Sequence, residues 1–124
     1  MAETHNPAAF DAPACVAGIL AATAAYRLDD CHRLLGSAVA ALAPAPLMRD
    51  VLGPVLREAG NRWHRGEFAI VQEHLLSAAI RRQLGQLLDA GNRTAAGPAI
   101  VFATLSGERH EMGTLMLAAV AASR

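Results

Sequence analysis

The chain has 124 residues, 53% of them apolar and 4% aromatic, enough for one domain with a real core. Eleven basic residues balance eleven acidic ones, which excludes a global electrostatic footprint for nucleic acid. The longest uncharged run, 15 residues between Asp11 and Arg27, is Ala-rich and too short to span a membrane. Cys15 and Cys31 lack metal-type spacing and follow no signal-type N-terminus, so they read as free cytosolic thiols.

Residues 1–13, with Asn6-Pro7 and Pro13 among small and polar residues, read as a loose leader. A helix is predicted from Ala14 to Tyr26. Asp29 and Asp30 offer an N-cap and early negative charge to a second helix. There Leu34, Leu35, Ala38, Val39 and Leu42 recur at helical spacing, and Pro44-Ala45-Pro46 ends the run. A third helix fits Leu47 to Trp63, with Met48, Leu52, Leu56, Ala59 and Trp63 along one stripe. Pro54 should kink or break it, and Gly66 is its stop signal. The fourth runs from Ala69 to Asp89, with Leu76, Ile80, Leu84, Leu87 and Leu88 as its apolar face. Gly91-Asn92 and Gly97-Pro98 mark its exit. Four helices with short loops make an antiparallel bundle.

The pattern then changes. Residues 99–105, AIVFATL, are a continuous apolar run bounded by Gly-Pro and Ser-Gly, the signature of a buried strand. A polar loop and a helical stretch, EMGTLMLAAVAAS, follow. Strand, loop, helix is the first half of a βαβ unit, whose loop lies where open α/β sheets bind ligands. The fold class expected is therefore mainly α. A four-helix bundle over residues 14–92 precedes, at 93–124, a first strand and helix of α/β type.

Between the last two elements stands GERHEMG, residues 107–113. A histidine on a βα loop is a candidate metal ligand or general base. Glu108, two residues before His110, is placed to accept from the other ring nitrogen and orient it. Gly113 leaves room for a bulky ligand at the helix start. Spacing alone leaves a second reading open, a surface loop whose Glu and His only cap a helix.

GERHEMG resembles the E-x-H-x-x-G form of the D-x-H-x-x-G motif that opens cobalamin-binding domains. Upstream, Trp63 is followed after nine residues by Glu73-His74, in WHRGEFAIVQEH. That spacing resembles the four-helix cap of methionine-synthase-like corrinoid modules and of MerR-type light-dependent regulators of the CarH/LitR type. The resemblance implies that His110 is the lower axial cobalt ligand, with Glu108 and Gly113 beside it. It implies that Trp63, Ile70, Glu73 and His74 cover the upper face of the corrin ring, in a pocket suited to a 5′-deoxyadenosyl group. His64, directly after the Trp, matches the histidine that in the light-sensing subgroup takes the upper cobalt position after photolysis. Read without the resemblance, His64 is a solvated histidine at a helix end. His5 and His32 match nothing in the pattern and read as surface residues, and neither cysteine fits a ligand role.

The chain departs from that family at both ends. Residues 1–13 cannot hold a winged helix-turn-helix, so DNA contact is expected only through a separate domain. The later strands of a flavodoxin-like sheet are missing, so self-association or a partner chain is expected to complete the sheet. The function expected is a cobalamin-binding sensory module of a light- or cobalamin-responsive transcriptional regulator. It is not an enzyme, and its cofactor is adenosylcobalamin in preference to methylcobalamin. The alternatives are a corrinoid carrier for a methyltransferase and a cofactor-free helical interaction module.

Overall fold

The computed structural model describes residues 9–105 and 111–124. Its first helix, α1 (Ala12–Ala24), starts two residues earlier than expected. Pro13 lies within the first turn, where a missing N–H is harmless, and the Asp11 carboxylate accepts from the Ala14 N–H at 2.9 Å. The end of the supposed leader is therefore a helix cap.

α1 closes through a left-handed residue that is not glycine. Tyr26 has φ of 56°, with its N–H bonded to Thr23 O and the N–H of Arg27 bonded to Ala22 O. This is the paired closure of a Schellman motif. It delivers the chain directly into α2 (Leu28–Ala41). Asp29 and Asp30 consequently fall in the first turn of α2 and do not form its N-cap. Asp30 instead lies 3.5 Å from Arg27 and 3.1 Å from Arg33, and both carboxylates still favour the positive end of the helix dipole.

The Pro-Ala-Pro stretch begins the next helix as well as following the last. α3 (Pro44–Leu47) runs into a π-helical segment (Met48–Leu52) and then α4 (Gly53–His64). The break foreseen at Pro54 is this π turn. Proline has no N–H for the carbonyl four residues back, and the wider turn takes up the mismatch, with the Gly53 N–H bonding to Met48 O. Gly53 permits that approach, because a Cβ there would stand 2.8 Å from Met48 O.

α5 (Ile70–Thr94) runs past the expected exit. Gly91 is a contact point and does not stop the helix. A Cβ on it would lie 2.8 Å from the Cβ of Ala122 in α6 (Met112–Ala122), so its lack of a side chain brings the two helices together. The core is drawn from α1, α2, the α3–α4 rod and α5, with Ile19, Leu35, Leu47, Val51, Val55, Leu76, Ile80 and Leu84 fully buried. Leu115, Met116 and Val120 of α6 pack against it.

The strand expected over 99–105 is absent among the described residues, which show neither helix nor strand from 95 to 105. Val101 is 89% exposed and Leu105 85%. A lone extended segment has no neighbour for its ladder hydrogen bonds. α6 forms as expected, but it packs on α5.

Candidate functional site

The turn between α4 and α5 collects the residues singled out upstream. α4 ends in a second Schellman closure, with Glu67 N–H to Arg62 O at 2.8 Å and Gly66 N–H to Trp63 O at 3.0 Å. Here the left-handed position, φ of 74°, is Gly66, the residue that takes it without steric penalty. The foreseen stop signal is thus seen in its hydrogen bonds. Phe68 turns inward and is buried, with the Arg62 guanidinium 5.4 Å from its ring centroid. Outside the turn, the Glu58 carboxylate accepts from Arg62 at 3.0 Å and from Arg65 at 3.2 Å, and Arg65 also pairs with Glu67. These hydrogen bonds hold the Glu58 and Glu67 carboxyls below their usual range and raise Arg65.

The start of α5 is fixed by Gln72. The side chain of this buried residue accepts from the Ala69 N–H at 2.7 Å and donates to Ala24 O at 3.0 Å. Ala69 has no side-chain acceptor, so only the reciprocal half of a capping box is present. The same glutamine ties the end of α1 to the first turn of α5. Nothing in the sequence pattern separates Gln72 from an ordinary surface glutamine. Its only signal is its position, three residues into the helix.

With Gln72 turned inward, the opposite side of the turn faces out. Trp63 is 45% exposed and Ile70 57%. Tryptophan and isoleucine left in water at a helix junction are exposed apolar surface. Glu73 and His74 follow on the same side as Ile70, at helical steps of three and four. Glu73 Oε2 lies 2.8 Å from His74 Nδ1, and Glu73 Oε1 accepts from Ser77 Oγ at 2.8 Å. His64 stands beside Trp63 with ring centroids 4.8 Å apart and planes tilted by 54°. Trp63, His64, Ile70, Glu73 and His74 are thus all carried by one helix–turn–helix junction, with apolar and hydrogen-bonding sides.

The second motif is less accessible. Glu108 and His110 lie outside the described residues, as does His5. Gly113 is exposed in the first turn of α6, with open space where a Cβ would stand. Glu111, directly after His110, lies 2.6 Å from Arg81 through its carboxylate. Arg81 sits eleven residues after Ile70, on the same side of α5, so the chain leaving the motif is tied to the face that bears Glu73 and His74. His32 is half-buried on α2, where a surface position was expected. Both cysteines are buried, and burial raises both thiols. Among the described residues no cluster of His, Cys, Asp and Glu could hold a metal ion. No described helix is long and apolar enough to cross a membrane. A concavity of about 1000 Å³, lined by Leu88, Ile100, Phe102, Leu115 and Ala122 among others, lies between α5, α6 and the extended segment. None of the upstream motif residues lines it.

The fold is a helical bundle whose α4–α5 junction carries exposed apolar and hydrogen-bonding side chains. The chain belongs to the B12 binding domain family, whose pattern it matches over residues 16–88, from within α1 to within α5. It is similar to the HTH-type transcriptional repressor CarH of Myxococcus xanthus, at 39% identity over 99 residues, 78% of this chain and 32% of that protein. It is also similar to the HTH-type transcriptional repressor CarA of the same organism, at 37% identity over 89 residues, 72% of this chain and 29% of that protein. The chain thus spans about a third of the length of these relatives.

Proposed function

We propose that the chain is the cobalamin-binding cap of a cytoplasmic, light- or cobalamin-responsive transcriptional regulator, without enzymatic activity of its own, and that its cofactor is adenosylcobalamin. The observation that carries this reading is the α4–α5 junction. Covering the exposed Trp63 and Ile70 side chains would contribute on the order of 1–3 kcal/mol each. Glu73 and His74, on the same side, offer a carboxylate and a ring nitrogen to hydroxyl groups. Such a wall suits an upper ligand with a stackable base and ribose hydroxyls, and a methyl group has neither. The names of the similar proteins, both transcriptional repressors, support the regulatory role.

Cobalamin, when bound, supplies a cobalt–carbon bond that light can break. The chain's own residues have other work. Trp63 and Ile70 would shield the bound group from water, and Glu73 and His74 would orient a sugar on it. His64, exposed beside Trp63, and His110 are the residues that would ligate its cobalt. Glu108 and Gly113 stand with His110 in that assignment. Residues 93–124 are read as the start of the cobalamin-binding domain proper. The exposed Val101 and Leu105 of the run at 99–105 favour association with a second copy or a partner chain.

The test is to mix the full chain with adenosylcobalamin in the dark, remove free cofactor by gel filtration, and record absorption spectra before and after green light. Retained cofactor with a light-driven spectral change is expected. The same columns read the oligomeric state before and after illumination. A Trp63→Ala, His110→Ala double variant that retained cobalamin as well as the wild type would defeat the assignment.

A further inference from the structure

The outward stripe of α5 does not end at His74. Ser77 is the next position on it, seven residues after Ile70 and one turn after Glu73. A hydroxyl inside a helix commonly turns back to the carbonyl four residues earlier. Thr23 does so to Ile19 O at 2.8 Å, and Ser37 to Arg33 O at 3.0 Å. Ser77 instead donates to the side chain four residues back, at 2.8 Å from Glu73 Oε1. The other oxygen of that carboxylate is the one beside His74 Nδ1. At 2.8 Å two lone pairs would repel, so the contact calls for a proton on Nδ1, and whenever the ring is neutral Nε2 is then the free nitrogen.

We propose that Ser77 is a positioning residue of the upper-ligand site, a proposal that rests on the cobalamin reading above. Its hydroxyl holds the Glu73 carboxylate in the orientation that meets His74 Nδ1. The carboxylate's remaining lone pairs and His74 Nε2 are then fixed acceptors before any ligand arrives. Fixed acceptors recognise paired hydroxyl donors, which an adenosyl ribose carries and a methyl group lacks. Ser77 therefore acts on the choice of upper ligand and does not touch it.

The experiment compares the full-length wild type, Ser77→Ala and Ser77→Thr, the last retaining a hydroxyl. The first readout needs no cofactor: the ¹⁵N shifts of His74 in the apoprotein, which report the tautomer. Wild type and Ser77→Thr should hold the Nδ1–H form, and Ser77→Ala should move toward a mixture. The second is dark affinity for adenosylcobalamin and methylcobalamin. Ser77→Ala should lose roughly fivefold toward the adenosyl form, about the effect of one neutral hydrogen bond, and keep its affinity for the methyl form. Unchanged His74 shifts in Ser77→Ala would overturn the proposal. Equal loss toward both forms would do the same, marking a merely structural role. Wild-type protein that retained neither form would defeat the cobalamin reading and the ligand role of Ser77 with it, whatever the nitrogen shifts showed.

Discussion

Replacing Gln72 with alanine tests how the candidate site is anchored. The substitution removes the acceptor for the Ala69 N–H and the donor to Ala24 O. A buried backbone group left without a partner costs about 1–3 kcal/mol. Both bonds are only partly buried, so water reaches the orphaned groups and the low end applies. With lost packing of the side-chain stem, the expected destabilisation is about 2–3 kcal/mol. For a domain of this size that lowers the Tm by roughly 8–12 °C. Urea unfolding followed by circular dichroism at 222 nm measures it. Gln72→Glu is the internal control: it keeps the acceptor for Ala69 but turns a charged oxygen toward Ala24 O, so at neutral pH its loss should match or exceed that of Gln72→Ala and shrink in acid, where the protonated carboxyl can donate again. A loss below about 0.5 kcal/mol for Gln72→Ala, the range of ordinary surface changes, would refute the idea that this side chain pins α5 to α1.

Three further outcomes are expected. Gly53→Ala should destabilise by about 1–3 kcal/mol, because its Cβ would meet the Met48 carbonyl at the π turn. Gly85→Ala, in the interior of α5 with open space around the new Cβ, should stabilise by about 0.5–1 kcal/mol; paired urea curves check both. The Glu58 carboxyl is held below its usual range by hydrogen bonds from Arg62 and Arg65. Its contribution is therefore present above the unfolded-state value and lost as pH falls through the lower folded-state value. The urea midpoint of Glu58→Gln should lie below that of the wild type at pH 7 and converge on it in acid, with the gap at pH 7 shrinking in 1 M salt.

Elements whose outcome depends on neighbours in the chain were legible in the sequence. Apolar spacing found the bundle helices, and Gly66 marked the end of α4 because its φ leaves few other choices. Trp63, Glu73 and His74 are singled out by a family resemblance carried on their spacing, and one helix–turn–helix junction carries all three. Features decided by partners distant in sequence were not legible. Gly91 reads as a terminator until Ala122 is packed against it. The apolar run at 99–105 has strand composition, but a strand exists only where another takes its hydrogen bonds. Tyr26 carries no turn signal, since a tyrosine in the left-handed region costs about 1–2 kcal/mol that tertiary context must offset. Gln72 is an ordinary polar letter until Ala24 stands opposite it.

The π turn sets a rotational phase for everything that follows it. Leu47, Val51, Val55 and Ala59 are all buried at steps of four. In an unbroken α-helix each such step drifts by ~40°, so three steps would swing the last residue through ~120°, out of the core. The single surplus residue in the π turn takes back ~100° of that drift and keeps the four in line. Trp63 is the next step of four, and the renewed drift begins to lift it off the core, in keeping with its half-exposed side chain. Deleting one residue within Met48–Leu52 would turn the indole by ~100° about the helix axis while leaving every residue of the α4–α5 junction unchanged. The direction in which the aromatic wall faces is thus written into a residue count well upstream of it.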